Sequence, residues 1–383
     1  MRLEEFRPQL DAAALMDLRR RLASSRLPRT DTDGWERGVP ESWLAQLIAD
    51  WQAFDTRAFQ SSLDQFTHMR AHVGELEVHV LHQAGRGPSP LPLILTHGWP
   101  GSFCEFLRLV PLLSDPANHG GAPADAFTVV VPSLPGFGFS GPPPRGGLTA
   151  SAVADVWNQI MVDGFGYDQY VAHGGDLGAG VTARLARKHP KAVAGIHLAT
   201  PGLAPPPKPW SESESRFVSE VKAWTAEEGG YAHEHATKPF TLGVALHDSP
   251  AGLGAWIGEK IRSWSSVGAD GEPAFERDLL LATLTLYWTT GTIAWSLLPY
   301  WASRHAPSDS LPSGDPAATP TAVSIFGGEL VPFPKPPREL AERYFSVTSW
   351  AEHKRGGHFP AVSEPQLLAE TLRDAFRPFR PSR

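Results

Sequence analysis

The chain of 383 residues is 42% apolar and 20% charged, which leaves ample material for a large core and excludes an intrinsically disordered protein. Its net charge of −7 at pH 7, with no basic block beyond LRRRLASSR, argues against nucleic acid as a partner; that block suits the polar face of a helix. The single cysteine, Cys104, excludes an internal disulfide framework and fits a reducing compartment.

The first segment, residues 1–88, opens with MRLEEFRPQLDAAALMDLRRR, which is charged throughout and lacks the apolar centre of a signal peptide. Helical spacing of apolar residues predicts a meander of helices over DAAALMDLRRRLAS and ESWLAQLIADWQAF, joined by the loop RTDTDGWERGVP. HMRAHVGELEVHVLHQ alternates about Gly74 and predicts a hairpin. From residue 89 to 200, short apolar runs alternate with amphipathic ones. LPLILTHG precedes FCEFLRLVPLL, FTVVVPSLPGFGFS precedes ASAVADVWNQIMVDGF, QYVAHGGD precedes AGVTARLARKHP, and AVAGIHLAT follows. The alternation predicts an α/β fold with a mainly parallel central sheet and helices on both faces. Functional groups in such sheets sit on loops at the carboxyl ends of strands.

PGLAPPPKPW breaks the alternation, and residues 201–305 read as helices inserted between strands. Seven of the 13 tryptophans and three of the 6 tyrosines fall in this insert, the composition of a lid over an apolar pocket. Its most apolar stretch, LLLATLTLYWTTGTIAW, is broken by threonines and a glycine and reads as a buried helix. No run reaches the roughly 18 apolar residues that span a bilayer. A cytoplasmic protein without a membrane anchor is expected. After the low-complexity loop APSDSLPSGDPAATP, residues 306–383 complete the sheet with TAVSIF and FSVTSWAEH and end on the helix EPQLLAETLRDAF.

Chemistry concentrates in VAHGGDLGAG, residues 171–180. Small residues flank a central nucleophile position after an apolar run, the pattern of the strand-to-helix elbow on which α/β-hydrolases display a serine. Here the position holds Asp176. Glu329 after AVSIF and His358 in RGGHFP complete the order nucleophile, acid, histidine used on that fold. HGWPGS follows the strand LPLILT; backbone N–H groups at His97, Gly98 and Trp99, with that of Leu177, are candidates for an oxyanion hole. A carboxylate needs no base before attacking an alkyl carbon, whereas serine suits acyl transfer and must first lose its proton. An aspartate at the elbow therefore points to an sp3 carbon as the target, with His358 left to activate water and Glu329 to orient it.

HGWPGSFCEFLRLVPLLSDP, PSLPGFGFS, GGDLG, YAHEHATKP, LYWTTGTI and RGGHFPAVSEP closely resemble motifs of the microsomal-type epoxide hydrolases, a family that includes juvenile-hormone epoxide hydrolases. The resemblance runs from about residue 5 to 376 and implies the α/β-hydrolase fold with an N-terminal helical meander. It implies conversion of a fairly apolar epoxide and water to a vicinal diol through an alkyl ester on Asp176, with no cofactor and no metal. It also implies two lid tyrosines that donate to the epoxide oxygen, matched by Tyr231 and Tyr300; a phenol stays protonated at neutral pH and is a good donor. Tyr287 is expected to be structural, and HEH, residues 233–235, lacks the further ligands of a metal site. Trp99, Leu177 and Phe359 are expected to shape the substrate pocket. The sequence departs from the family at Leu177, where tryptophan is common, and in FGGE, where a phenylalanine-proline pair usually precedes the acid. A haloalkane dehalogenase-like hydrolase and a non-catalytic ligand-binding protein of the same fold are the alternatives. Detoxification, biosynthesis and homo-oligomer formation are all left open by the sequence.

Overall fold

The central strands form where apolar residues occupy both faces of the sheet, as burial by helices on either side requires. In the computed structural model, which describes residues 1–29, 34–268 and 271–380, LPLILT becomes β4 (Leu91–Thr96), with β1 (Arg2–Glu5), β2 (Thr67–Val73) and β3 (Leu76–Gln83) before it. β5 (Phe127–Pro132), β6 (Tyr170–Gly175), β7 (Val193–Ala199), β8 (Ala317–Phe326) and β9 (Phe345–His353) follow. All nine join one sheet in the order β1-β2-β3-β5-β4-β6-β7-β8-β9. The pairs from β5 to β9 are parallel, and those linking β1, β2, β3 and β5 are antiparallel. This is the α/β-hydrolase fold.

The hairpin turns at Gly74, whose φ of 60° suits a residue without a side chain. It extends the central sheet through β3. β1 was not apparent in the sequence; its four mostly charged residues pair Arg2 with His72 and Glu5 with Met69 at the sheet edge. Residues 30–33 of the loop RTDTDGWERGVP lie outside the described residues. FCEFLRLVPLL is not one helix but a 3-10 turn, Phe103–Phe106, capped by Ser102, and a short helix, Leu109–Ser114. The insert between β7 and β8 runs from the helix Glu212–Glu228 to the helix Leu298–His305. LLLATLTLYWTTGTIAW splits at Gly291 into the buried helix Arg277–Thr290 and the turn Ile293–Ser296. No helix among the described residues is long and apolar enough to cross a membrane.

Register places the functional loops together. Thr96 at the end of β4 pairs with Gly174 on β6, so the segment starting at His97 emerges beside Asp176. Phe326 at the end of β8 pairs with His353 at the end of β9, which brings the segments carrying Glu329 and His358 side by side. The first helices bind the insert: the Trp51 indole donates to Thr285 Oγ1 at 2.9 Å, Arg277 pairs with Asp50 at 2.5 Å and Arg21 with Asp248 at 2.8 Å.

Candidate active site

β6 ends on Gly174 and Gly175, and the helix Asp176–Lys188 starts at once. The turn between them is so sharp that Asp176 takes a φ of +51°, a left-handed conformation that costs a non-glycine residue about 1–3 kcal/mol and is stored mainly at functional sites. Three glycines make room for it. A Cβ on Gly178 would lie 2.0 Å from the Thr96 carbonyl, one on Gly174 2.2 Å from the Gly178 carbonyl, and one on Gly98 2.4 Å from Asp176 Oδ1.

The Asp176 carboxylate is held at both oxygens. Trp99 N–H donates to Oδ1 at 2.8 Å, and His358 Nε2 lies 3.0 Å from Oδ2. Leu177 N–H, the other expected donor, makes no hydrogen bond to this carboxylate among the described residues, and the Leu177 side chain lines the main cavity. His97 does not turn its ring to Asp176. The ring is buried, Nε2 accepts from Leu134 N–H at 3.0 Å, and Nδ1 donates to the Gly98 carbonyl at 3.1 Å. Burial pushes its pKa down to about 4, so it braces the loop as a neutral ring.

His358 is fixed from three sides. Its N–H donates to the Trp264 carbonyl at 2.9 Å, its ring stacks on Phe333 at 4.7 Å, and Trp264 lies tilted at 5.2 Å. Glu329 lies on the adjoining loop, tied through Gly328 N–H to the Gly356 carbonyl at 2.9 Å. Its side chain is fully buried, yet Oε1 meets Lys335 Nζ at 2.5 Å and Oε2 has no hydrogen-bond partner among the described residues. The fold thus brings Asp176 and His358 into contact and sets Glu329 nearby, directed to Lys335.

A cavity of about 510 Å³ opens over Asp176 and is lined by it, His358, Tyr231, Tyr300, Leu177 and Phe333 with aliphatic residues such as Leu134, Val153, Leu203 and Leu298. Tyr231 and Tyr300 come from the helices Gly230–Thr237 and Leu298–His305 of the insert. Their rings meet edge to face at 6.0 Å. Burial first, with the Asp176 charge contributing to both, raises each phenol above its usual range, so both remain donors. Tyr287 is buried elsewhere and donates to the Gly101 carbonyl at 3.3 Å.

Two expected pocket residues sit elsewhere. Trp99 is fully buried behind Tyr231, stacked on it at 5.4 Å, because its backbone has to face Asp176. Phe359 packs edge-on against His358 at 5.1 Å and lines two smaller cavities, one of which also touches Asp176. Within HEH, His235 is buried and accepts from the Trp256 indole at 3.1 Å, its ring against Trp99 and Tyr300. Among the described residues no group of three or more His, Cys, Asp or Glu side chains could hold a metal ion. Sequence reasoning missed Phe333 and Glu105. The only signal for Phe333 was an aromatic residue in the proline-rich segment after the acid.

Residues 3–106 match the family model "Epoxide hydrolase N terminus", and residues 92–245 match "alpha/beta hydrolase fold". The chain is 41% identical to the "Putative epoxide hydrolase" of Stigmatella aurantiaca, over 98% of this chain and 85% of that one. The structure of the Aspergillus niger epoxide hydrolase superposes with a TM-score of 0.85 at 28% identity, covering 99% of this chain and 97% of that one. For juvenile hormone epoxide hydrolase from the silkworm Bombyx mori the TM-score is 0.83 at 29% identity, covering 99% and 94% of the two chains.

Proposed function

The chain belongs to the epoxide hydrolase family, and from that premise we propose that it converts a fairly apolar epoxide and water to a vicinal diol through a covalent ester on Asp176. The observation that carries this reading is a carboxylate with one oxygen on a backbone N–H and the other beside an imidazole, facing an apolar cavity that also exposes two buried phenols.

In the first step Oδ2 attacks an epoxide carbon and the ring C–O bond breaks. The departing oxygen takes a proton from Tyr231 or Tyr300. In the second step water attacks Cγ of the ester and gives a proton to His358 Nε2. The negative charge then builds on Oδ1, where Trp99 N–H already donates. Collapse breaks the Cγ–Oδ2 bond, and the departing alkoxide takes the proton from His358. The acid proton left on Asp176 returns to the tyrosinate, so the diol leaves with the enzyme's oxygen and the water oxygen remains on the Asp176 carboxylate. Glu329 orients the histidine through Oε2, the oxygen that Lys335 does not engage. The helical insert acts as the lid that supplies the phenols.

A single turnover in ¹⁸O-water tests the covalent route. The first diol should carry unlabelled oxygen, with the label on the Asp176 peptide; label in the first diol would mean direct hydration. His358→Gln should stop at the ester, seen as an intact-mass gain equal to the whole epoxide. A mass gain from a 1-haloalkane and none from an epoxide would instead identify a dehalogenase.

A further inference from the structure

Beside Asp176 lies a second cavity of about 20 Å³, whose wall includes Gly98, Glu105, His173, Asp176, His358 and Phe359. It shares Asp176 and His358 with the substrate cavity. Its size matches one water molecule, which needs about 10–15 Å³ and two to four polar partners. Glu105, His173, Asp176 and His358 supply those partners.

Glu105 is the unusual member. It belongs to the 3-10 turn Phe103–Phe106, and its carboxyl turns inward, where Oε2 is sealed without a hydrogen-bond partner. A Cβ on Gly101 would lie 2.3 Å from that oxygen, so the glycine of HGWPGS is what admits the carboxyl. Glu105 also lines a cavity of about 30 Å³ and a groove of about 710 Å³ between the helices Glu41–Ala53, Thr56–Leu63 and Arg277–Thr290. It is the one residue common to all three cavities. Burial first, then the Asp176 charge, holds its carboxyl well above the usual carboxylate range, and a neutral acid can sit beside the nucleophile without repelling it.

We infer that the small cavity is the site of the hydrolytic water, that Glu105 positions this water by accepting one of its O–H bonds, and that the water arrives from the groove rather than past the substrate. The inference rests on the ester route above. The bound water has one O–H on Glu105 and gives its other proton to His358 Nε2 while its oxygen bonds to Cγ; Glu105 ends the step unchanged. Substrate in its own cavity then leaves the water in place, and ring opening needs no contribution from Glu105.

Rapid-quench intact mass with styrene oxide separates the two steps. In Glu105→Leu, which removes the acceptor, ester formation should stay within about twofold of the parent, while ester hydrolysis slows by about ten- to hundredfold and ester accumulates. Glu105→Gln, whose amide oxygen still accepts, should recover most of the hydrolysis rate. Val362→Trp, at the boundary of the groove and the 30 Å³ cavity, should show the same pattern as Glu105→Leu and carries the test if Glu105→Leu does not fold. Unchanged hydrolysis, or equal slowing of both steps, overturns the assignment of Glu105. Absence of any ester in both the parent and His358→Gln would instead overturn the covalent route itself.

Discussion

Lys335 Nζ lies 2.5 Å from Oε1 of Glu329, a carboxylate with no solvent exposure. Removing one partner of such a pair strands the other charge. Because Lys335 keeps 24% of its side chain exposed, Lys335→Met should cost about 2 kcal/mol, between the values for surface and fully buried pairs. Urea unfolding measures the loss, and adding Glu329→Gln should recover much of it, since the stranded charge is then gone. Equal losses with and without Glu329 would show that the pair contributes nothing.

Tyr231 and Tyr300 line one cavity with Asp176 and both feel its charge. Each Tyr→Phe change should slow ring opening by roughly ten- to hundredfold, because the remaining phenol still donates, and the double change should cost far more than the product of the two. Single-turnover rates of ester formation provide the measurement. Near-parent rates in the double variant would remove both phenols from the reaction.

Leu177 stands on the cavity wall next to Asp176. Leu177→Trp adds a ring to that wall without altering the backbone. It should lower kcat/KM for bulky epoxides by about tenfold and leave small terminal epoxides within a few-fold. A uniform loss across a size series would argue for damage to the elbow instead.

The neutral His97 ring makes the loop sensitive to acid. Its folded pKa, about 4, lies below the ordinary 6.5, so the unfolded chain binds the proton first as pH falls. Stability from this group is whole above pH 6.5 and lost on acidification toward 4, with a slope approaching about 1.4 kcal/mol per pH unit. Unfolding midpoints at pH 7, 6 and 5 should fall accordingly, and less steeply in His97→Gln. Equal slopes would exclude His97 as a source of the decline.

Much of this arrangement was legible because strand and helix periods alternate cleanly from LPLILT to AVAGIHLAT, and because an elbow leaves a local signature of small residues around Asp176. β1 was not legible: an edge strand of four residues, RLEE, takes its pairing from β2 and carries no apolar pattern of its own. Glu105 was hidden for a related reason. In FCEFLRLVPLL a glutamate reads as a solvent-facing position, and only the missing Cβ of Gly101, close in space, lets it turn inward. HGWPGS signalled that a loop would meet the nucleophile but not which group would face it; the backbone of Trp99 does, and the ring of His97 turns to Leu134. Phe333 and Lys335 escaped notice because their partners, His358 and Glu329, are set by the geometry of a loop without periodicity.

The fastening of the first helices to the insert bears on how the enzyme moves. The Trp51–Thr285 hydrogen bond is buried, and ion pairs from Asp50 and Arg21 reach the insert at two further points. Helices stapled in this way form a fixed roof rather than a swinging flap. Substrate and diol would then have to pass through a standing doorway, so the door's width, set by side chains, would do the sorting that a hinge does in enzymes that close around their substrates.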